Sequence, residues 1–129
     1  MHTRTHVTTG TPWEPVVGYS RAVRAGPFVW VSGTTAIGPD GTLVGRDDPA
    51  AQARQALANI AAALERAGAA LSHVVRTRIY VRHMAHWEAI GRVHGEVFSA
   101  VRPATTMVEV SALIDPGMLV EIEADAFVD

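Results

Sequence analysis

From Val120 to Phe127 the sequence VEIEADAF changes character at every residue. Val120, Ile122, Ala124 and Ala126 form one row, and Glu121, Glu123 and Asp125 form the other. A period of two is the mark of a β-strand with one face in a core. Upstream, Pro103 opens a second alternating run, with Thr105, Met107 and Glu109 on one side and Thr106, Val108 and Val110 on the other. Asp115-Pro116-Gly117 carries a turn signal between the two runs. The pattern predicts a β-hairpin over Arg102–Phe127, with its acidic, non-core face lining a small-molecule site.

The rest of the chain supplies what such strands need to pack against. Residues 1–17 are polar, with Gly10, Pro12 and Pro15, and are expected to form an extended N-terminal arm that Trp13 pins to a single domain over residues 18–129. Tyr19–Arg24 and Phe28–Ser32 are expected as strands around a Gly26-Pro27 turn, and Gly33 after the second strand permits close approach of a ligand or another backbone. Asp47–Ala67 is the clearest helix. Asp47 or Asp48 can cap it, Pro49 suits its first turn, its apolar residues recur at helical spacing, and Gly68 stops it. His73–His83 is expected as a strand with Val75, Thr77, Ile79 and Val81 on one face and Arg76, Arg78, Tyr80 and Arg82 on the other. Ala85–Ser99 is expected as a second helix. The resulting order is ββ-α-β-α-ββ, an α+β fold with one sheet and both helices on one face. The other face then mixes Trp30, Tyr80 and Met107 with arginines and carboxylates. That mixture suits contact between subunits better than open solvent, and predicts a homo-oligomer with sites between protomers.

Composition narrows the chemistry. The chain has 129 residues, no cysteine, and a net charge of -2. All 11 of its Lys+Arg residues are arginine. Thiol nucleophiles, thiolate metal sites and lysine Schiff bases are therefore excluded within the chain, leaving Ser, Thr, Tyr, His, carboxylates and water. No basic run invites nucleic acid. No apolar run is long enough for a membrane span or a signal core, so a cytoplasmic location is expected. His83, His86 and His94 would make a metal site only by converging, and a strand end followed by a helix start does not favour that; no metal is expected.

Four motifs in order give the chain a family resemblance. Tyr19 is followed thirteen residues later by Ser32-Gly33, then come Ala51-Gln52-Ala53-Arg54-Gln55, Arg102-Pro103-Ala104 with Val108-Glu109-Val110, and Val120-Glu121-Ile122-Glu123-Ala124. Together they resemble the Rid family of reactive intermediate deaminases, also called the YjgF family, over nearly the whole chain from Tyr19 onward. The resemblance implies a chorismate-mutase-like fold, a homotrimer and three clefts between protomers. It implies hydrolysis of amino-acid-derived enamines and imines to a keto acid and ammonia without a metal or organic cofactor.

The resemblance also carries site residues, and here the chain departs from the pattern. Tyr19, Gly33 and Glu121 match family site positions. The arginine that binds the substrate carboxylate, two residues after the signature proline, is Thr105 here; the cysteine common two positions later is Met107, and an asparagine of the second helix is Gly91. A guanidinium holds a carboxylate by paired charged hydrogen bonds of about 1.5–3 kcal/mol each, against about 1 kcal/mol for a neutral hydroxyl. Thr105 thus argues against an ordinary 2-imino acid as substrate. Arg102 is a possible substitute, but strand alternation puts it on the opposite face.

Weighed residue by residue, Glu121 is the first choice to hold the attacking water or to shuttle a proton to the departing amine. An ion pair with Arg76 or Arg78 is its alternative role. Tyr19 orients the ligand or simply packs at an interface. Thr34 and Thr105 are candidate donors to a neutral substrate, Met107 makes the pocket more apolar, and His94 either packs or faces the cleft. The expected activity is cofactor-independent hydrolysis of an imine, enamine or related reactive intermediate. A non-catalytic trimer that binds a ligand in the same cleft is the alternative.

Overall fold

A computed structural model describes residues 3–129. The strands are β1 (Arg4–Val7), β2 (Ala22–Ala25), β3 (Phe28–Thr34), β4 (Val74–Val81), β5 (Ala104–Glu109) and β6 (Val120–Phe127); the helices are α1 (Trp13–Val17), α2 (Pro49–Arg66) and α3 (Trp87–Phe98). The strands form one mixed six-stranded sheet in the order β1-β2-β3-β6-β4-β5. Only β4 and β5 run parallel.

The alternation of β6 is realised in full. Val120, Ile122, Ala124 and Ala126 are buried, while Glu121, Glu123 and Asp125 are half-buried on the other face. The core lies between this face and the helices. Ala53, Ala56, Leu57, Ile60, Ala63 and Leu64 of α2 pack there with Val29, Val31 and Ile79, joined by Ile90, Val93 and Phe98 of α3. The small alanines let α2 lie close to the strands. Asp48 caps α2 by accepting a hydrogen bond from the Ala51 amide at 3.1 Å, and Gly68 takes the left-handed conformation (φ 77°) just past its end.

Three expectations are corrected. Arg102–Phe127 is not a hairpin: β6 inserts between β3 and β4, and β5 pairs with β4 on its far side. A turn signal fixes where the chain bends but not which strand it next pairs with. The stretch expected as an extended arm contributes β1, in register with β2 from Arg4↔Ala25 to Val7↔Ala22, and then the short α1. Its first two residues lie outside those described. Last, Val75 is exposed and Val74 buried, because the β4–β6 register shifts between Val74 and Arg76. An extra residue on one strand reverses the facing of everything before it. Thr77, Ile79 and Val81 keep their expected core face.

No helix is long and apolar enough to cross a membrane among the described residues.

Candidate functional site

The open face of the sheet carries the acidic row of β6. Against it, β4 sets Tyr80 opposite Glu121 and Arg78 opposite Glu123. The charges sort themselves by distance. Arg78 Nη1 lies 3.3 Å from Glu123 Oε1 and 3.2 Å from Asp125 Oδ2, and the Tyr80 hydroxyl donates to Glu123 Oε1 at 3.0 Å. Glu121 takes no part in this network. Among the described residues no cation stands within 4.0 Å of its carboxylate, so the alternative of an ion pair with Arg76 or Arg78 is not realised.

A bulge explains why Glu121 is set apart. Val31 pairs with Ala124 and Thr34 with Ile122, so β3 spends one residue more than β6 over the same length. The extra residue brings Gly33 over the Glu121 side chain, where a Cβ would lie 2.9 Å from both Cδ and Oε2. Glycine is required here for space. Burial raises the Glu121 pKa above the ordinary carboxylate value; Arg21 pulls it down and Glu123 adds to the rise. A half-buried carboxylate without a partner, held more basic than usual, is suited to taking and returning protons.

Arg21 escaped the sequence reading. It is buried at 7% exposure. Its Nη1 donates to the Gly33 carbonyl at 2.6 Å and to Thr34 Oγ1 at 3.1 Å, and its Nη2 donates to the Tyr19 hydroxyl at 3.2 Å. The guanidinium also sits over the Tyr19 ring, 5.5 Å from its centroid. Arg21 therefore ties Tyr19 to Gly33 beside Glu121. The available signal was the spacing of two residues from Tyr19, which in an extended chain puts both side chains on one side. Thr34 stands differently from expectation. Its hydroxyl accepts from Arg21 and donates to the Ser32 carbonyl at 2.7 Å, so it is spent within the fold.

Thr105, Met107 and Gly91 belong to another neighbourhood. Thr105 pairs with Thr77 and Met107 with Ile79 on β4, and both partners are buried beneath the helices. The Thr105 hydroxyl lies 2.8 Å from that of Thr77, which lies 2.8 Å from His94 Nε2, and it also reaches the Pro103 carbonyl at 3.1 Å. Burial lowers the His94 pKa, and its ring packs on Phe98 with centroids 4.7 Å apart while also bordering an open recess, so it both packs and faces outward. Gly95, one turn after Gly91 on α3, borders this open recess of about 480 Å³ with His94 and Thr105, whereas Gly91 and Met107 do not line it. Arg102 borders it too. The alternation argument that put Arg102 across the sheet fails, because it lies before β5 with a left-handed φ of 55°.

The candidate residues thus divide into two sets on opposite faces of one sheet: Tyr19, Gly33 and Glu121 with Arg21 on or beside the open face, and Thr105, Met107 and Gly91 on the helix side at the β5 edge. The histidines do not gather. His83 and His86 meet edge-to-face at 5.4 Å, and no three metal-ligating side chains converge among the described residues.

The sheet with its two covering helices and the bulge-positioned carboxylate define a chorismate-mutase-like α+β protein. The family model described as Endoribonuclease L-PSP matches residues 9–128. The chain is similar to Rv2704 from Mycobacterium tuberculosis, a solved member of the YjgF/YER057c/UK114 family, with 56% identity, a TM-score of 0.89, and coverage of 98% of this chain and 100% of that one. It is similar to YyfA of the Rid family from Yersinia pestis, with 34% identity, a TM-score of 0.86, and coverage of 98% and 100%. It is 37% identical over 119 residues to the 3-aminoacrylate deaminase RutC of Acinetobacter baylyi, covering 92% of this chain and 93% of that protein. The chain belongs to the YjgF/Rid family.

Proposed function

We propose that the protein hydrolyses an imine, enamine or related reactive nitrogen intermediate that is not an ordinary 2-imino acid. The carrying observation is the half-buried, unpaired Glu121 carboxylate facing Gly33, with its pKa raised by burial. Water adds to the electrophilic C=N carbon while Glu121 accepts a water proton. Glu121 then returns that proton to nitrogen, and as the C–N bond of the resulting carbinolamine breaks the remaining hydroxyl proton also passes to nitrogen, leaving a carbonyl and ammonia. The similarity to a 3-aminoacrylate deaminase supports this reaction class. Tyr19, oriented by Arg21, lies beside the reacting group.

The reading includes a homotrimer with clefts between protomers. Two half-sites on opposite faces of one sheet cannot enclose one ligand within a chain. A second copy presenting its β5 edge to the open face of the first would complete the site. The open face supports such a contact, since Phe28, Trp30 and Phe127 are 47%, 45% and 40% exposed there and pack on one another.

A non-catalytic ligand-binding trimer is the second reading, favoured by Thr105, whose hydroxyl is held by Thr77 and Pro103. Phosphodiester cleavage draws no support from a net charge of -2.

The test is an amino-acid-oxidase-coupled assay that follows decay of the 2-imino acids from leucine and methionine, with wild type and Thr105→Arg side by side and neutral imines in parallel. Acceleration of neutral imines by wild type, and of 2-imino acids only by Thr105→Arg, is the expected result. Failure of wild type on every imine makes the binding-protein reading the better one. A monomer by light scattering at micromolar concentration would sink the intersubunit cleft.

A further inference from the structure

We propose that a cavity between the N-terminal segment and α2, which shares Arg21 with the Glu121 face, is a second binding site for a small carboxylate with a flat apolar body. The cavity holds about 250 Å³. Trp13, Ile37, Pro39, Ala62 and Ala63 give it apolar walls, and Arg21 borders it.

The state of its polar groups determines the ligand chemistry. Most are already satisfied. The hydroxyls of Thr9 and Thr11 donate to Glu14 at 2.8 and 2.7 Å. Asn59 gives its amide hydrogens to the carbonyls of Thr35 and Ile37 at 3.0 and 2.8 Å and accepts from Gln55 at 2.8 Å. The Thr34 hydroxyl is spent, as described. Thr35 keeps its hydroxyl, and Arg66, on the exposed side, gives one bond to the Thr8 carbonyl.

Arg21 is the exception that is both charged and buried. It makes three hydrogen bonds, all to uncharged oxygens; Glu121 attracts it from a distance, but no carboxylate lies within 4.0 Å of it among the described residues. A guanidinium has five N–H donors, so two remain, including Nε. The one sealed side-chain nitrogen or oxygen without a partner among the described residues is His86 Nδ1. The Nε of Arg21 has no partner among the described residues and is not sealed in this way, and Arg21 borders the cavity. A buried cation with unspent donors is costly unless an anion meets it, and Nε with an Nη forms the fork that matches a carboxylate. The apolar walls and the Trp13 ring account for the rest of the ligand.

The experiment uses benzoate as probe and benzamide as its neutral counterpart, titrated into the protein by calorimetry, with the tryptophan fluorescence lost on Trp13→Phe as a second readout. Benzoate is expected to bind at one site per chain, at least about tenfold tighter than benzamide, and Arg21→Gln to weaken it by a similar factor. Ala62→Phe, at the exposed rim, is expected to abolish binding while thermal stability and any imine turnover persist, which guards against misfolding of the Arg21 variant. Glu121→Gln separates the two sites: benzoate binding survives it, whether or not turnover exists to be lost. The proposal is overturned if benzoate binds no tighter than about 10 mM, if benzamide equals it, if Ala62→Phe leaves binding intact, or if Glu121→Gln removes it.

Discussion

Gly33 faces Glu121 so closely that a single added methyl group at Gly33 would lie 2.9 Å from the Glu121 carboxylate. Gly33 does not occupy the left-handed backbone region, so Gly33→Ala introduces no backbone strain and acts through space alone. The carboxylate is what gives way, because it is the free end of a flexible side chain, whereas the bulge is held on either side by the Val31–Ala124 and Thr34–Ile122 pairs. A displacement of about 1 Å at a reacting group costs roughly 100-fold in rate. Gly33→Ala is expected to lower imine turnover by about that factor while circular dichroism and thermal midpoint stay near wild type. Wild-type turnover in this variant would show that the Glu121 carboxylate is not the acting group.

Glu121 also leaves a thermodynamic trace. Burial raises its folded-state pKa above the unfolded one. A raised carboxylate pKa favours the folded state fully below the unfolded pKa, and this contribution is lost as pH rises through the folded value. At neutral pH the ionised side chain therefore opposes folding. Glu121→Gln, which keeps the shape and removes the ionisation, is expected to be more stable than wild type at pH 7. The gain should shrink as pH falls toward 4. Thermal melts of both proteins across that range check the sign. A variant less stable at pH 7 would mean that attraction to Arg21 outweighs the cost of burying the charge.

Local signals made much of this fold legible, and non-local pairing made the rest invisible. The α2 helix follows from Asp48, Pro49, its apolar spacing and Gly68, all within one stretch, and the structure keeps it nearly residue for residue. The facing of β6 follows from alternation alone. The insertion of β6 between β3 and β4 does not, because strand order depends on segments that are distant in sequence. The bulges at Val31–Thr34 and Val74–Arg76 each add one residue without altering composition. At the site, Glu121 and Gly33 are readable as a carboxylate on a non-core row and a glycine after a strand. Their contact is not, since it depends on the bulge. Arg21 reads as one more surface arginine until the fold buries it.

Gln52 is a fully buried polar residue whose stability role is well defined. Its Nε2 donates to the carbonyls of Gly45 and Gly117 at 3.1 and 3.0 Å, and its Oε1 accepts from the Leu119 amide at 2.8 Å. It thereby clamps the start of α2 to the loop that leads into β6. Gln52→Ala removes three bonds, leaves buried backbone groups unpaired and opens a cavity, at an expected cost of about 2–4 kcal/mol. Gln52→Leu restores most of the volume, so the difference between the two variants isolates packing from hydrogen bonding. Urea unfolding of both variants measures it. A loss under about 1 kcal/mol in both would mean that water replaces the side chain.

Glu14 plays the same part for the N-terminal segment, with a charge. Its carboxylate is buried at 5% exposure and accepts four hydrogen bonds: from the amide and hydroxyl of Thr9 at 3.3 and 2.8 Å, and from those of Thr11 at 3.3 and 2.7 Å. Burial alone would raise its pKa, but the bonds from Thr11 and Thr9 together outweigh burial and bring it below the usual 4.5. A depressed carboxylate pKa adds stability above the unfolded value, and that stability disappears as pH falls through the folded one. Glu14→Ala is expected to cost about 2–3 kcal/mol at pH 7, with the difference from wild type narrowing below pH 4.5. Because Thr9 and Thr11 also wall the cavity beside Arg21, the same substitution should loosen that wall. Hydrogen exchange of the Thr9 and Thr11 amides, faster in the variant at pH 7 while the α2 amides stay protected, would locate the loss in this segment. Equal acceleration in both places would mean instead that Glu14 supports the whole fold.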